Sequence, residues 1–565
     1  MSPTENKFSA SDREQWECAV SRVLRGTSST ALNYQDEDGL EVSALYQLPG
    51  LELGSKLARL ASRLPARPEN YIRDGWEICQ PIYASLNSKT LNQHISEEIK
   101  GGADSILFLG GPTDVSKKLH KIFQGVKLSE VGIYLGSTED VLSLLGAFSN
   151  LAENFNLRLS DLRFGANLDP FSPNLKPSLL EEGLQYLEKS ELCDVPSGFF
   201  RANGWNWHNH GMTVVQELAY ILASLTEILR SAHARNINLA DFVTLLSASV
   251  ALPADLFEGI TKCRALRQCW AGLVKPLGLD PAQHPLLVHA GVSLRMFTTV
   301  DSETNILRTT TALLGGAIGG ADQISSFAHD CISGSSFDGR RLARMQHHLM
   351  IEESGLARSL DPAGGAGFIE SRSHHLATAA WEMFQKIEAN GGALSYHNKK
   401  KFHDEAQKSA AKRFDKFASG GTDIVGVNVA TDHFIFYPAL PEWMHVRRPA
   451  AAVELIRKAV KDHPPRILTL RSSRNINSTS QDIDNLLQMG GMQPVRMCFD
   501  EVNSDSISAA RPDQVILIEK QYDELSEVIK VALKSLEEDS RVFSSEDIFA
   551  SGDTLRMLSS FAGVD

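Results

Sequence analysis

The chain has no C-x-x-C pair, no apolar run approaching the roughly 20 residues that span a bilayer, and no block of basic residues longer than three. Its seven cysteines (Cys18, Cys79, Cys193, Cys263, Cys269, Cys331 and Cys498) are odd in number and scattered. That spacing fits reduced thiols, not a disulfide framework or a zinc site. The first residues, MSPTENKFSASDREQWE, carry acids and lack an apolar h-region, so no signal or transit peptide is expected and the protein is read as cytoplasmic. A net charge of −13 lacks the concentrated basic surface that phosphate backbones need. Neither nucleic acid nor membrane is expected as a partner. The one basic run, Lys399 to Lys401, reads as a solvated helix start.

What is present is an ordinary globular composition, 42% hydrophobic and 22% charged, spread over 565 residues, a length for two or three domains. A helix, FSASDREQWECAVSRVLRG, leads into an extended arm that ends at the Pro-rich RLPARPEN. From there to about residue 395, short apolar runs alternate with longer amphipathic segments. The runs include SILFLG (105 to 110), VGIYLG (131 to 136), DLRFGANLD (161 to 169), GWNWHNH (204 to 210) and LLVHAG (286 to 291). Such alternation favours a parallel sheet with crossover helices, and its length favours a closed (β/α)8 TIM barrel. A charged helical connector follows. The last hundred residues return to strand and helix, with RILTLR, PVRMCF and QVILIEK as strands, in the outline of a small doubly wound α/β domain. The divisions expected are 1–70, 71–395, 396–460 and 461–565.

The densest chemistry is in GWNWHNHGMT, residues 204 to 213. Read as a strand, it puts Asn206, His208 and His210 on one face and the two tryptophans on the other. Thr213 and Gln216 then form a capping box opening a helix with a buried stripe of Val215, Leu218, Leu222, Leu225 and Leu229. The polar triplet would sit at the carboxyl end of a barrel strand, where such folds place their chemistry. Two histidines at i and i+2 lack the further ligand that a zinc site needs, so no metal is expected. The pairs His347–His348 and His374–His375 lie in helical patterns and read as surface residues. The glycines of GGAIGG (315 to 320) fall inside an apolar helical pattern, against a phosphate loop. The Asp361 to Gly367 segment, DPAGGAG, reads as a sharp turn.

Several stretches together resemble the adenosylcobalamin-dependent acyl-CoA mutases, the methylmalonyl-CoA mutase family in particular. GMTVVQELAYILA looks like the family's helix after its central barrel strand, EESGLARSLDPAGGAGFIES resembles its E-S-G followed by D-P-x-G-G, and SGGTDIVGVN looks like the segment closing its barrel domain. The resemblance runs from about residue 10 to the C-terminus. It implies a TIM barrel followed by a flavodoxin-like cobalamin-binding domain, here a degenerate one.

The departures from the family pattern carry the functional expectation. Catalytic chains read R-P-W-T-I-R-Q-Y where this one reads Asp74-Gly75-Trp76-Glu77-Ile78-Cys79-Gln80-Pro81, so both substrate-neutralising arginines and the active tyrosine are gone, and Asp74 and Glu77 are expected to repel an acyl-CoA anion. The family's substrate-contacting histidine falls on Asn206, whose amide donates a hydrogen bond but is no general acid. The carboxylate-binding R-N-T-Y element has no counterpart. The family's D-x-H-x-x-G, which supplies the lower cobalt ligand, is also missing, since no histidine follows His463. The ending EDIFASGDTLRMLSSFAGVD resembles that of the family's non-catalytic small subunit. The resemblance therefore implies a small subunit of a heterodimer, with adenosylcobalamin and acyl-CoA on a catalytic large subunit and with Trp205 and Trp207 filling former substrate space. A rival expectation is a catalytic acyl-CoA mutase of altered substrate that uses Asn206, His208 and His210 with a separate cobalamin-binding subunit.

Overall fold

The computed structural model describes residues 13–46, 75–84, 86–110, 116–173, 175–190, 198–429 and 446–471, apart from residues 137 and 139, and residues 478–562 in shorter pieces. A first helix, α1 (Arg13–Val23), precedes a short antiparallel hairpin in which Tyr34–Gln35 pairs with Glu41–Val42. Eight strands follow: β1 (Glu77–Tyr83), β2 (Ser105–Leu109), β3 (Gly132–Leu135), β4 (Phe164–Gly165), β5 (Phe200–Asn203), β6 (Leu246–Leu252), β7 (Leu287–Val292) and β8 (Gln323–Ser325). All pair in parallel, each beside its neighbour in sequence, and β1 also pairs with β8. The remaining edges, β4 and β5, are joined by a parallel bridge between Leu168 and Phe200, with Leu168 N donating to Phe199 O at 2.9 Å and Arg201 N to Leu168 O at 3.0 Å. The ring thus has the arrangement of a TIM-like barrel.

Of the expected strands, four correspond to β2, β3, β4 and β7. The stretch GWNWHNH is not a strand: the strand at that place is the preceding Phe200–Asn203, and the stretch itself is helical. Strands β1, β6 and β8 carry no comparable apolar run. β6 reads LSASVAL, small residues facing a crowded interior, and β8 is three residues long.

Around the ring lie α2 (Ser88–Lys100), α3 (Val141–Glu153), α4 (Ser178–Lys189), α5 (Gly204–His210), α6 (Val214–Ala234), α7 (Leu256–Val274), α8 (Thr304–Ile318) and α9 (Phe337–His348). The core fills the layer between strands and helices. One chain of rings there runs Phe108, Phe123, Phe148, Phe164, with centroids 5.0 to 5.8 Å apart, at spacings that favour edge and tilted contacts. Helix α6 is buried almost all round, packed against α7 and α10 (Gly367–Ala389), and its predicted stripe lies inside. The capping box of Thr213 and Gln216 is present. The residues 315–318 of GGAIGG do lie in helix α8.

His347 departs from its surface assignment. It is fully buried, accepting from Trp76 Nε1 at 2.9 Å and lying 2.9 Å from Ser326 Oγ, and burial pushes its pKa down to about 3. Its neighbour His348 is half-buried, 3.1 Å from Gly101 O, whereas His374 and His375 are exposed as expected. The reason is packing: His347 bridges α9 to the first and last strands, and a neutral imidazole satisfies both partners there.

Helix α11 (Lys401–Ala418) leads to α12 (Ala450–Asp462) and a second sheet of β9 (Ile467–Arg471), β10 (Val495–Cys498), β11 (Gln514–Leu517) and β12 (Arg541–Ser544). These four strands are parallel in the order β10-β9-β11-β12. Helices α13 (Ser478–Met489) and α14 (Thr554–Ala562) accompany them, and most of the expected DELSEVIKVALKSLEED helix lies outside the described residues. Glu454 of α12 ties this part to the barrel, accepting from Thr299 N at 2.8 Å while paired with Arg448 at 2.7 Å. Among the described residues, no helix is long and apolar enough to cross a membrane.

The seam between the first and last βα units rests on Glu98. This fully buried carboxylate of α2 meets both Arg340, at 3.0 Å, and Arg344 of α9. Removing one member of a buried ionic cluster strands the others without solvent. Glu98→Ala is expected to lower unfolding free energy by about 3–5 kcal/mol in denaturant titration.

Candidate functional site: the carboxyl mouth of the barrel

Helix α5 begins directly where β5 ends. The Asn203 side chain accepts from Asn206 N at 3.1 Å, an N-cap that turns the chain out of the strand, and the helix stops at Gly211, whose φ is +125°. A Cβ at Gly211 would collide with the Ala406 carbonyl of α11, so the helix end is also a close contact.

The change from strand to helix redistributes the predicted site. Positions i and i+4 share a helical face, while i+2 points elsewhere. Asn206 and His210 accordingly face one cavity, with Asn206 Nδ2 donating to Ser172 Oγ at 2.9 Å and His210 Nδ1 2.9 Å from Asn206 O. His208 turns away into the protein. Its Nε2 lies 2.8 Å from Ser293 Oγ, and its Nδ1 lies 3.3 Å from Glu217 Oε2. The triplet is therefore not one constellation.

The tryptophans also part. Trp207 is fully buried against Tyr220, Phe402 and His403 and donates to Phe171 O at 3.0 Å. Trp205 lies across the mouth, stacked on Phe327 with 5.7 Å between centroids and donating to Val292 O at 2.9 Å. A Cβ at Gly291 would stand 2.8 Å from the Trp205 ring, so glycine in β7 makes the space for it.

The cavity, about 310 Å³, is bounded by Trp205, Asn206 and His210 above and by Asn167, Arg201 and His289 below. Beneath it two polar layers cross the barrel axis. In the upper, His289 lies between Ser249 Oγ at 2.7 Å and Ser325 Oγ at 2.8 Å, and burial beside Arg201 keeps the imidazole neutral. In the lower, Arg201 donates to Ser247 Oγ at 3.1 Å and Gln323 Oε1 at 3.2 Å and sits 5.9 Å from the Tyr134 ring centroid. Glu77 completes that layer, accepting from Gln323 Nε2 at 2.8 Å and Tyr134 at 3.2 Å, with Arg163 at 3.4 Å.

Glu77 is thus not a repulsive charge at the mouth. It is buried at the amino end of β1, where hydrogen bonds and a guanidinium meet its charge; Asp74 lies outside the described residues. Cys79, at the position of a family arginine, is buried, and desolvation pushes its thiol up to about 12, so it is no nucleophile. Sequence reasoning missed Arg201, His289 and Asn167. The visible signal was an arginine inside FFRANG, a cation in an otherwise apolar run. Chemically the cavity offers amides, one guanidinium and a neutral imidazole: hydrogen bonds and one positive charge. Among the described residues no group of three or more His, Cys, Asp or Glu is placed to hold a metal ion.

Asp169 anchors this mouth from behind. Fully buried, it accepts from Tyr220 OH at 2.8 Å and from Asn203 N at 3.0 Å, and desolvation raises its pKa to about 7 against those hydrogen bonds. The folded state therefore holds a proton that the unfolded chain releases near pH 4, so the contribution of Asp169 to stability declines as pH rises from about 4 to about 7. The stability difference between wild type and Asp169→Asn is expected to be smaller at about pH 8 than at about pH 5 in urea titrations, because only the wild type gains a buried charge on the way.

A family model described as methylmalonyl-CoA mutase matches residues 199–442, the second half of the barrel and the segment after it. The chain is 29% identical over 521 residues to the probable methylmalonyl-CoA mutase small subunit of Mycobacterium tuberculosis, covering 86% of this chain and 83% of the relative. It is 28% identical over 542 residues to the methylmalonyl-CoA mutase small subunit of Streptomyces virginiae, covering 89% and 86%. Against the methylmalonyl-CoA mutase large subunit of Streptomyces virginiae the identity is 24% over 457 residues, covering 74% and 61%. The resemblance read from the sequence is borne out: the chain is similar over its second barrel half to the methylmalonyl-CoA mutase family model, and over most of its length to that enzyme's small subunits.

Proposed function

We propose that the chain is the non-catalytic small subunit of a heterodimeric methylmalonyl-CoA mutase. Similarity to the family points to an isomerase, and in this reading the isomerisation of methylmalonyl-CoA to succinyl-CoA takes place on a catalytic large subunit in the cytoplasm. The observation that carries the proposal is the crossed barrel axis. Tyr134, Arg201, His289 and Trp205 occupy the space along which a long acyl thioester would have to lie, and their mutual hydrogen bonds make withdrawal costly. The names of the relatives support the pairing, because they include small subunits and a large subunit.

The carboxyl-terminal part supports the same division. Its four parallel strands suit a degenerate flavodoxin-like cobalamin-binding domain, but the residues do not fit the cofactor. No histidine follows His463, and the carboxyl end of β9 presents Arg471, buried beside Asp484 of α13 at 3.5 Å. A guanidinium has no lone pair for cobalt. Adenosylcobalamin is accordingly assigned to the partner. The divisions 1–70, 71–395, 396–460 and 461–565 are proposed as arm, barrel, connector and degenerate domain. The large subunit would be held by an obligate interface, which for such pairs buries roughly 2,000 Å² or more.

One observation favours the rival reading of a catalytic barrel served by a separate cobalamin-binding subunit: Asn206 and His210 do face an open cavity. His208 does not take part in it.

Two outcomes separate the readings. A tagged copy purified from its native host is expected to bring a stoichiometric larger mutase chain, with corrinoid absorbance that leaves with that chain when the two are separated. The isolated subunit is expected to turn over no methylmalonyl-CoA when adenosylcobalamin is supplied. Turnover by this chain with only a small cobalamin-binding protein, falling about tenfold or more in Asn206→Ala, would establish the rival instead.

A further inference from the structure

The side of α5 facing away from the cavity carries an arrangement that neither reading uses. Ser293 follows the last residue of β7, at the carboxyl mouth of the barrel. His208 Nε2 lies 2.8 Å from its Oγ, and on the other side of the imidazole Glu217 Oε2 lies 3.3 Å from Nδ1. That Nδ1 makes no hydrogen bond of good angle as it stands. Glu217 is fixed in turn, accepting from Ala251 N at 2.7 Å and from Lys262 Nζ at 2.9 Å, and Lys262 also donates to Ala251 O at 2.9 Å. A hydroxyl, an imidazole and a carboxylate in this order form the relay that activates a serine, and such contacts are commonly loose until substrate is bound.

Ser293 also borders a groove of about 570 Å³, distinct from the cavity above, between the barrel mouth, α8, α11 and the start of α12. Arg295 and Arg308 line it, and among the described residues neither forms an ion pair; Arg413 is taken by Glu37. Glu258 and Asp423 line the same groove, so its wall carries both signs of charge. His208 remains neutral because it is buried beside Arg295 and Lys262, which is the state a general base must have.

We propose that Ser293, His208 and Glu217 form a hydrolytic site whose groove accepts an ester or thioester. Ser293 Oγ adds to the carbonyl carbon while its proton passes to His208 Nε2. The carbon–sulfur or carbon–oxygen bond then breaks, the leaving atom taking both electrons and that proton. Water attacks the acyl-serine, gives a proton to His208, and Ser293 departs as the hydroxyl with that proton returned. Net, an ester or thioester and water become a carboxylic acid and an alcohol or thiol. Lys262 is a positioning residue: it holds the Glu217 carboxylate without touching substrate.

The test is to treat the purified full-length chain with a fluorophosphonate and locate the adduct by intact and peptide mass spectrometry. One adduct on Ser293 is expected, absent in Ser293→Ala and formed about a hundredfold more slowly in His208→Gln, which keeps a hydrogen bond to Ser293 without the base. Hydrolysis of p-nitrophenyl acetate by the wild type is expected to be lost in Ser293→Ala. Wild-type mapping alone decides if a variant does not fold. An unmodified Ser293 peptide, or labelling unchanged in folded His208→Gln, would overturn the proposal, and either result leaves the subunit assignment untouched.

Discussion

The carboxylate of Glu217 is the point at which the mouth of this barrel is tied together. It is fully buried, yet it binds the backbone of β6 through Ala251 N and helix α7 through Lys262, and it lies 3.3 Å from His208 of α5. A charge without solvent is tolerable only when neighbours replace water, and here a lysine and a backbone amide do so. Because desolvation still raises the Glu217 pKa, the arrangement depends on keeping Lys262 in place. Helix α5 folds back over the strand ends between the Asn203 cap and this carboxylate, with Trp205 and Trp207 hydrogen-bonded to Val292 O and Phe171 O.

From that fold-back follows the character of the barrel interior. Trp205 is delivered across the mouth, Gly291 yields to it, and the layers below are filled by side chains that hydrogen-bond to one another. Arg201 shows how such an interior stays stable. Burial lowers its pKa to about 10, so it remains a cation, balanced by Glu77 across Gln323 and by the face of Tyr134. The interior is thus filled by side chains that hydrogen-bond to one another, and the fold class alone does not say what such a barrel binds.

Much of the architecture was legible in the chain. Alternating apolar runs located β2, β3, β4 and β7, the rhythm of the last hundred residues located β9, β10 and β11, and Thr213 with Gln216 marked the start of α6. What was not legible has a common cause. β6 and β8 are made of small or polar residues because they face other side chains across the barrel, a requirement that no local window contains. His347 looked like a surface residue because its partners, Trp76 and Ser326, lie 271 and 21 residues away in sequence.

The stretch GWNWHNHGMT divides the two kinds of knowledge. Its residue types, the residues at 74–81 and the absence of any histidine after His463 are properties of the sequence alone, and they carried the family resemblance and the expectation of lost chemistry. Which way each side chain points was decided by tertiary structure. With period two, Asn206, His208 and His210 share one face; with the helical period they split between a cavity and a buried carboxylate. Seven residues are too few for periodicity to choose between those geometries, and the choice fell to the Asn203 cap, the close approach of Ala406 at Gly211, and Glu217, none of which lies within the stretch itself.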